Sequence, residues 1–389
     1  MRFRHPDGTI VHVAYCTNVH AAEDLDGVLE QLTRYAEPVR DALGVPRLGL
    51  GLWLAREVAT QLAADDGAVL KLRTELTARG LEVVTLNGFP YKGFHDPVVK
   101  GKVYLPDWTD PARTRYTTDL ARLLVQLLPD DAARGSISTL PLGWRTPWDS
   151  EREAATASQL DLLAADLRVL TAATGRPVRI AFEPEPGCIV ETTTQAAERL
   201  STVDRNLLGV CLDVCHLAVG FEEPSEALDR LSAAGLPIVK VQASCALQAD
   251  NPTDPATRAA LESFVEPRFL HQTREKSPTG ILAADDLDSA LAGELPGAGP
   301  WRVHFHSPLH ADAATPLTTT RPVLADTLDL LVGGATARTD HIEVETYTWQ
   351  VLPEGQRPTD DRGLVAGLAA ELDWMRQQLT GLGLAEVTG

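Results

Sequence analysis

Three times along this chain a helix-like segment runs into a glycine, and an apolar, β-rich stretch begins within a few residues. The cases are Ala78-Arg79-Gly80 before Leu81-Glu82-Val83-Val84-Thr85-Leu86, Thr174-Gly175 before Val178-Arg179-Ile180-Ala181-Phe182, and Ala234-Gly235 before Ile238-Val239-Lys240-Val241. A glycine just past a helix adopts the left-handed conformation that closes it, so each junction marks a helix followed by a strand. Repeated alternation of this kind predicts parallel strands joined by crossover helices. Eight candidate strands begin near His12, Leu48, Leu81, Ser136, Val178, Leu208, Ile238 and His341, and eight is the strand number of a closed α/β (β/α)8 TIM barrel. Helices are expected over 25–43, 114–128, 151–171 and 364–379. In the last, Leu364, Leu368, Leu372, Met375 and Leu379 recur at helical spacing as one apolar face to pack on the barrel.

With 389 residues, 44% of them hydrophobic, the chain can bury a large core and exceeds the ~250 residues of a typical barrel. A single barrel domain over residues 1–389 is expected, with a long insertion at about 247–301 that is rich in Asp, Pro and Ala. A loop of that length is expected to be a lid or a disordered segment. After it comes an extra strand bearing histidines, Trp301-Arg302-Val303-His304-Phe305-His306.

Alternate side chains of a strand point to opposite faces, so strand parity can be read directly. Val178, Ile180 and Phe182 are opposed by Arg179, Ala181, Glu183 and Glu185. Leu208, Val210 and Leu212 are opposed by Gly209, Cys211 and Asp213. Val239 and Val241 are opposed by Lys240, Gln242 and Ser244, and Ile342 and Val344 by Glu343, Glu345 and Tyr347. In a barrel the apolar faces meet the helices and the polar faces look inward, where unpaired carboxylates are costly. Glu183, Asp213, Gln242 and Glu345 together offer three negative charges and one neutral amide oxygen. That hard oxygen set suits one divalent ion, Mn²⁺ or Mg²⁺, with Co²⁺ or Zn²⁺ as alternatives. Ion pairing with Arg179 or Lys240 is the competing reading of the same carboxylates.

Other residues at strand ends are candidates for holding substrate. Glu185 and Glu343 share parity with the ligand candidates, as further ligands or as acceptors behind them. His304 and His306, two apart on one strand face, are assigned to the substrate pocket, with a second metal or a satisfied buried pair as alternatives. His20, Asn18 and Asn87 follow strand ends and are expected to reach hydroxyls. Lys240 is expected to contact substrate, and a Schiff base there is disfavoured because nearby carboxylates keep the amine protonated. Cys211, Cys215 and His216 invite a zinc reading, but small core residues are favoured for the cysteines. An odd total of five cysteines without framework spacing suits reduced thiols.

A net charge of −19 repels nucleic acid and anionic membranes alike. No apolar run reaches membrane-spanning length, so a cytoplasmic protein without membrane insertion is expected.

The runs Phe182-Glu183-Pro184-Glu185-Pro186, Gly209 to His216, Lys240-Val241-Gln242 and Val344-Glu345 resemble the xylose isomerase-like sugar isomerase/epimerase superfamily. That resemblance implies a divalent ion held by Glu183, Asp213, Gln242 and Glu345, and makes His216 a substrate contact. The chain also resembles EboE-like barrel proteins of bacterial ebo metabolite-traffic clusters. The similar blocks are Tyr15-Cys16-Thr17-Asn18-Val19-His20, Asn87-Gly88-Phe89-Pro90-Tyr91, Gly135 to Pro141, His304-Phe305-His306 and Glu343 to Trp349. This likeness implies a small polyol substrate, a cyclitol-like ketone or its phosphate, and other ebo-cluster enzymes as partners. The expected activity is metal-dependent isomerisation or epimerisation, with Glu183 and Glu345 as general base and acid. One departure stands out: sugar epimerases carry histidine where Gln242 stands, whereas dehydratases of cyclic keto-polyols carry glutamine. Dehydration and non-catalytic metabolite binding are the alternatives. A nuclease of the same superfamily would need a basic groove.

Overall fold

A computed structural model describes residues 1–387 of the protein. All eight expected strands form, over Ile10–Cys16, Leu48–Trp53, Leu81–Asn87, Gly135–Thr139, Val178–Phe182, Leu208–Asp213, Ile238–Ala243 and His341–Val344. Each pairs in parallel with the next. The eighth returns to the first, with His341 opposite His12 and Val344 opposite Tyr15, so the sheet closes. The result is a (β/α)8 barrel with helices around it.

The local causes are those the sequence suggested. Gly80, Gly175 and Gly235 have φ of 65°, 69° and 67°, the left-handed geometry in which a side chain is strained. Asp149 and Asp360 cap the helices Ser150–Thr174 and Asp361–Gly381 by accepting from Arg152 N and Gly363 N. Leu364, Leu368, Leu372, Met375 and Leu379 are all buried, which makes them the packed face of the last helix. Residues 25–43 form one continuous helical stretch with a wider π turn at Leu32–Ala36, closed by Gly44.

The apolar strand faces, such as Val178, Ile180 and Phe182, are at most 1% exposed, each contributing roughly 1.5–3 kcal/mol of burial. Inside, the barrel is partly ionic. Lys240 and Glu343 form an ion pair with both side chains 0% exposed, and Gly51 on the second strand leaves space for it. A Cβ on Gly51 would lie 1.9 Å from Glu343 Oε1.

The insertion is an ordered sheet rather than a disordered loop. It folds as a five-stranded antiparallel sheet in the order Gly280–Ala284, Thr273–Ser277, Trp301–Val303, Leu247–Ala249, Thr318–Thr319. It therefore runs past Trp301, to about Thr319, before the helix Arg321–Val332. Thr273-Arg274-Glu275-Lys276-Ser277 has no apolar alternation to announce a strand. The sheet forms because Trp301, Val303, Leu247 and Ala249 supply its buried side. The strand at 301 ends at Val303, and His304 and His306 lie on the extended segment beyond it.

Candidate metal centre and pocket

The carboxylates sit where the parallel strands end. Glu183 and Glu345 each follow the last residue of their strand and continue the ladder by one bond, to Thr139 O and Ala243 O. Asp213 ends its strand and caps the short helix Val214–Val219: its Oδ1 accepts from His216 N and from Ser244 Oγ. The cap commits one oxygen and leaves Oδ2 turned inward without a donor. Gln242 faces Asp213 across the next pair of strands, and neither polar atom of its amide has a partner.

Glu183, Asp213 and Glu345 bring ligand oxygens within 4.8 Å of one another, and all three are at most 4% exposed. Glu183 Oε2 likewise lacks a donor. Burial, then the charges of Glu345, Asp213 and Glu185, push the Glu183 carboxyl well above its ordinary range. Burial, Asp213 and Glu343 do the same to Glu345, with Lys240 opposing in both cases. Carboxyls this crowded cannot all ionise without a cation, and an ion there would reverse the shift. Three oxygen acids and one unpartnered amide fit a divalent ion.

Above this cluster lies a cavity whose wall includes Asn18, Asn87, Glu183, Glu185, His216, His304, His306 and Glu345. Asn18 and Asn87 donate to Glu345 Oε1 at 2.7 and 2.8 Å. Asn87 Oδ1 also accepts from Phe89 N, so its amide is bound to the protein rather than free for a hydroxyl. Glu185 accepts from Tyr104 at 2.7 Å, and burial raises its carboxyl. Burial also depresses the His304 and His306 imidazoles, the latter to about 4.

Two expected contacts do not reach the cavity. Lys240 lies below it, paired with Glu343 and donating to Leu86 O and Ser138 Oγ. Burial alone would lower its ammonium, but Glu343 carries it above its ordinary value. The same pairing keeps the amine protonated, which disfavours a Schiff base there. His20 is turned away, its Nε2 at 3.2 Å from Tyr15 Oη and its ring stacked on Tyr35 at 4.1 Å. Arg179 offers no counter-charge to the acids, because its Nε binds Asn206 O. All five cysteines are free and buried, and Cys215 packs with Val219 and Ala246.

Sequence reading missed the aromatic wall. Phe94, Tyr104, Phe269 and Tyr347 also line the cavity. Tyr347 shares parity with Glu345 and could have been found that way. The others come from a long loop, a 3₁₀ turn and the insertion, which carry no periodic signal.

A family model described as xylose isomerase-like TIM barrel matches residues 51–258. No curated protein is similar in sequence at a significant level. Among solved structures, an L-ribulose 3-epimerase aligns with a TM-score of 0.50 at 14% identity, over 96% of this chain and 95% of that one. A D-allulose 3-epimerase from Methylomonas sp. aligns with a TM-score of 0.50 at 13% identity, over 97% of this chain and 100% of that one. At such identities the likeness is one of fold.

Proposed function

Because this chain belongs to the xylose isomerase-like TIM barrel family, we propose that it is a divalent-metal-dependent isomerase or epimerase. Its substrate is a small keto-polyol, a cyclitol or its phosphate, in keeping with the EboE-like blocks. The observation that carries this reading is the meeting of Glu183, Asp213 and Glu345 within 4.8 Å, with Glu183 Oε2, Asp213 Oδ2 and the Gln242 amide unpartnered. These four residues would hold the ion. When bound, it would polarise the substrate carbonyl and make the adjoining C–H more acidic.

The protein's own groups supply the rest. Glu183 and Glu345 take and return the carbon-bound proton as general base and acid. Asn18 and Asn87 pin Oε1 of Glu345 and so fix the orientation of its carboxylate. Glu185, held by Tyr104, accepts from a substrate hydroxyl. Phe94, Phe269 and Tyr347 exclude water from the reacting carbon. Proton return to the opposite face gives epimerisation, and return to the neighbouring carbon gives isomerisation. Expulsion of a β-hydroxyl gives dehydration, the second reading, which Gln242 favours because a neutral amide replaces the expected histidine.

The test is metal analysis of the purified protein, followed by solvent-deuterium exchange into candidate cyclitol ketones. An isomerase, epimerase or dehydratase incorporates deuterium next to the carbonyl. Glu183→Gln and Glu345→Gln should each abolish it, and undiminished exchange in either refutes the assignment. Bound metal without exchange identifies a metabolite-binding protein instead.

A further inference from the structure

The helix Ser150–Thr174 is 25 residues long, about 37 Å at 1.5 Å per residue. One face does what a barrel helix requires: Leu160, Leu163, Ala164 and Leu167 are at most 7% exposed. The opposite face of such a helix is ordinarily polar, and here it is not. Val169 is 70% exposed and Leu162 53%. They stand two helical turns apart on one outward line, the spacing of a seam between paired helices. Ser158, Ala165 and Ala172 recur at the same interval beside them, all exposed. Side chains that small let a second helix approach closely.

At 3.6 residues per turn, Leu162 and Val169 fall on one side of the line through Ala165, and Asp161 and Arg168 on the other. Asp161 is exposed. Arg168 binds Asp204 through Nε and Nη2, and its side chain is 60% exposed. An acid and a base thus flank an apolar strip on a single helix.

We propose that this face joins two copies of the chain as an antiparallel helix pair, with the two-fold axis passing beside Ala165. The axis sets each residue before Ala165 against one equally far beyond it in the other copy. Leu162 then meets Val169, Ser158 meets Ala172 and Asp161 meets Arg168, every contact occurring twice. A parallel pair would bring Asp161 level with Asp161 and Arg168 level with Arg168, so the charges select the antiparallel arrangement. The face holds both members of each contact, which makes a second copy its complement. Each chain carries a net charge of −19, but that repulsion is screened beyond about 10 Å at 0.1 M salt, whereas Asp161 and Arg168 balance at the seam. None of these residues lines the cavity at the strand ends, so the pairing is independent of the metal centre.

The test is light scattering coupled to gel filtration of the full-length protein at physiological salt. A mass twice the 42.0 kDa of the chain is expected. Leu162→Glu/Val169→Glu should run at the single-chain mass with unchanged circular dichroism. Asp161→Arg, which sets like charges together twice, should weaken the dimer about tenfold. The arrangement itself is read by crosslinking. All five native cysteines are buried, so an exposed thiol is introduced on the axis as Ala165→Cys and beside the seam as Ala157→Cys. Mild oxidation should link Ala165→Cys into a covalent dimer much faster than Ala157→Cys. A parent that remains a monomer at high micromolar concentration overturns the proposal, and so does a dimer indifferent to the Leu162 and Val169 changes. Undiminished affinity in Asp161→Arg, or an Ala165→Cys protein that links no faster than Ala157→Cys, overturns the antiparallel arrangement.

Discussion

Lys240 and Glu343 show how much a single inward residue can matter without touching substrate. With both side chains fully buried, each is tolerable only because of the other. Lys240→Met should leave Glu343 as an uncompensated charge and cost about 3–5 kcal/mol, measured by urea denaturation. The double variant Lys240→Met/Glu343→Leu should recover most of that loss, since the uncompensated charge is then gone. A Lys240→Met protein as stable as the parent would contradict the pairing. Asn18 and Asn87 act at the same scale on Glu345. Removing both donors, as Asn18→Ala/Asn87→Ala, should weaken metal affinity about 10–100-fold, read by chelator competition, with circular dichroism unchanged. The sequence offered these asparagines as hydroxyl contacts because strand ends are where substrate binds. That their amides point at Glu345 depends on a contact spanning 258 residues for Asn87, which no local pattern encodes.

At the level of elements, two features keep the eighth strand and its loop in place. Gly51 on the second strand yields its side-chain space to Glu343. Gly51→Ala should therefore cost about 3 kcal/mol or more by overpacking, whereas Gly334→Ala, with nothing within 4 Å of the added carbon, should change little; paired thermal melts decide it. Glu371, on the last helix, accepts from Thr346 Oγ, Leu309 N and Trp349 Nε1, tying that helix to the loop after Glu345. Burial pushes its carboxyl up to about 7, against the pull of those three donors. A carboxyl with a folded-state value above the ordinary 4.5 stabilises fully below pH 4.5, and that contribution is lost as pH rises through 7. The parent should thus lose on the order of 3 kcal/mol relative to Glu371→Gln between pH 4.5 and 7.5. A pH-independent difference in melting temperature would count against this.

Across the whole molecule, the barrel concentrates acidic groups at one end of a chain that already carries a charge of −19. Cation binding to the folded state alone should raise stability by about 2.7 kcal/mol at one hundred times the dissociation constant. Melting with Mn²⁺ and with chelator should show that gain, and Glu183→Gln should lose it. Among the described residues, no helix is long and apolar enough to cross a membrane.

The eight strands, their order and the faces bearing Glu183, Asp213, Gln242 and Glu345 were legible from the chain itself. Capping glycines, helical spacing and strand parity are set by neighbours a few residues apart. The insertion was not legible, since strands of two to five mixed residues become strands only when paired. Nor could parity tell that Lys240 and His20 turn away from the cavity, or that His304, 88 residues from His216, arrives beside it. Those outcomes depend on closing the sheet and folding the insertion over its mouth, which bring together groups that have no proximity along the backbone.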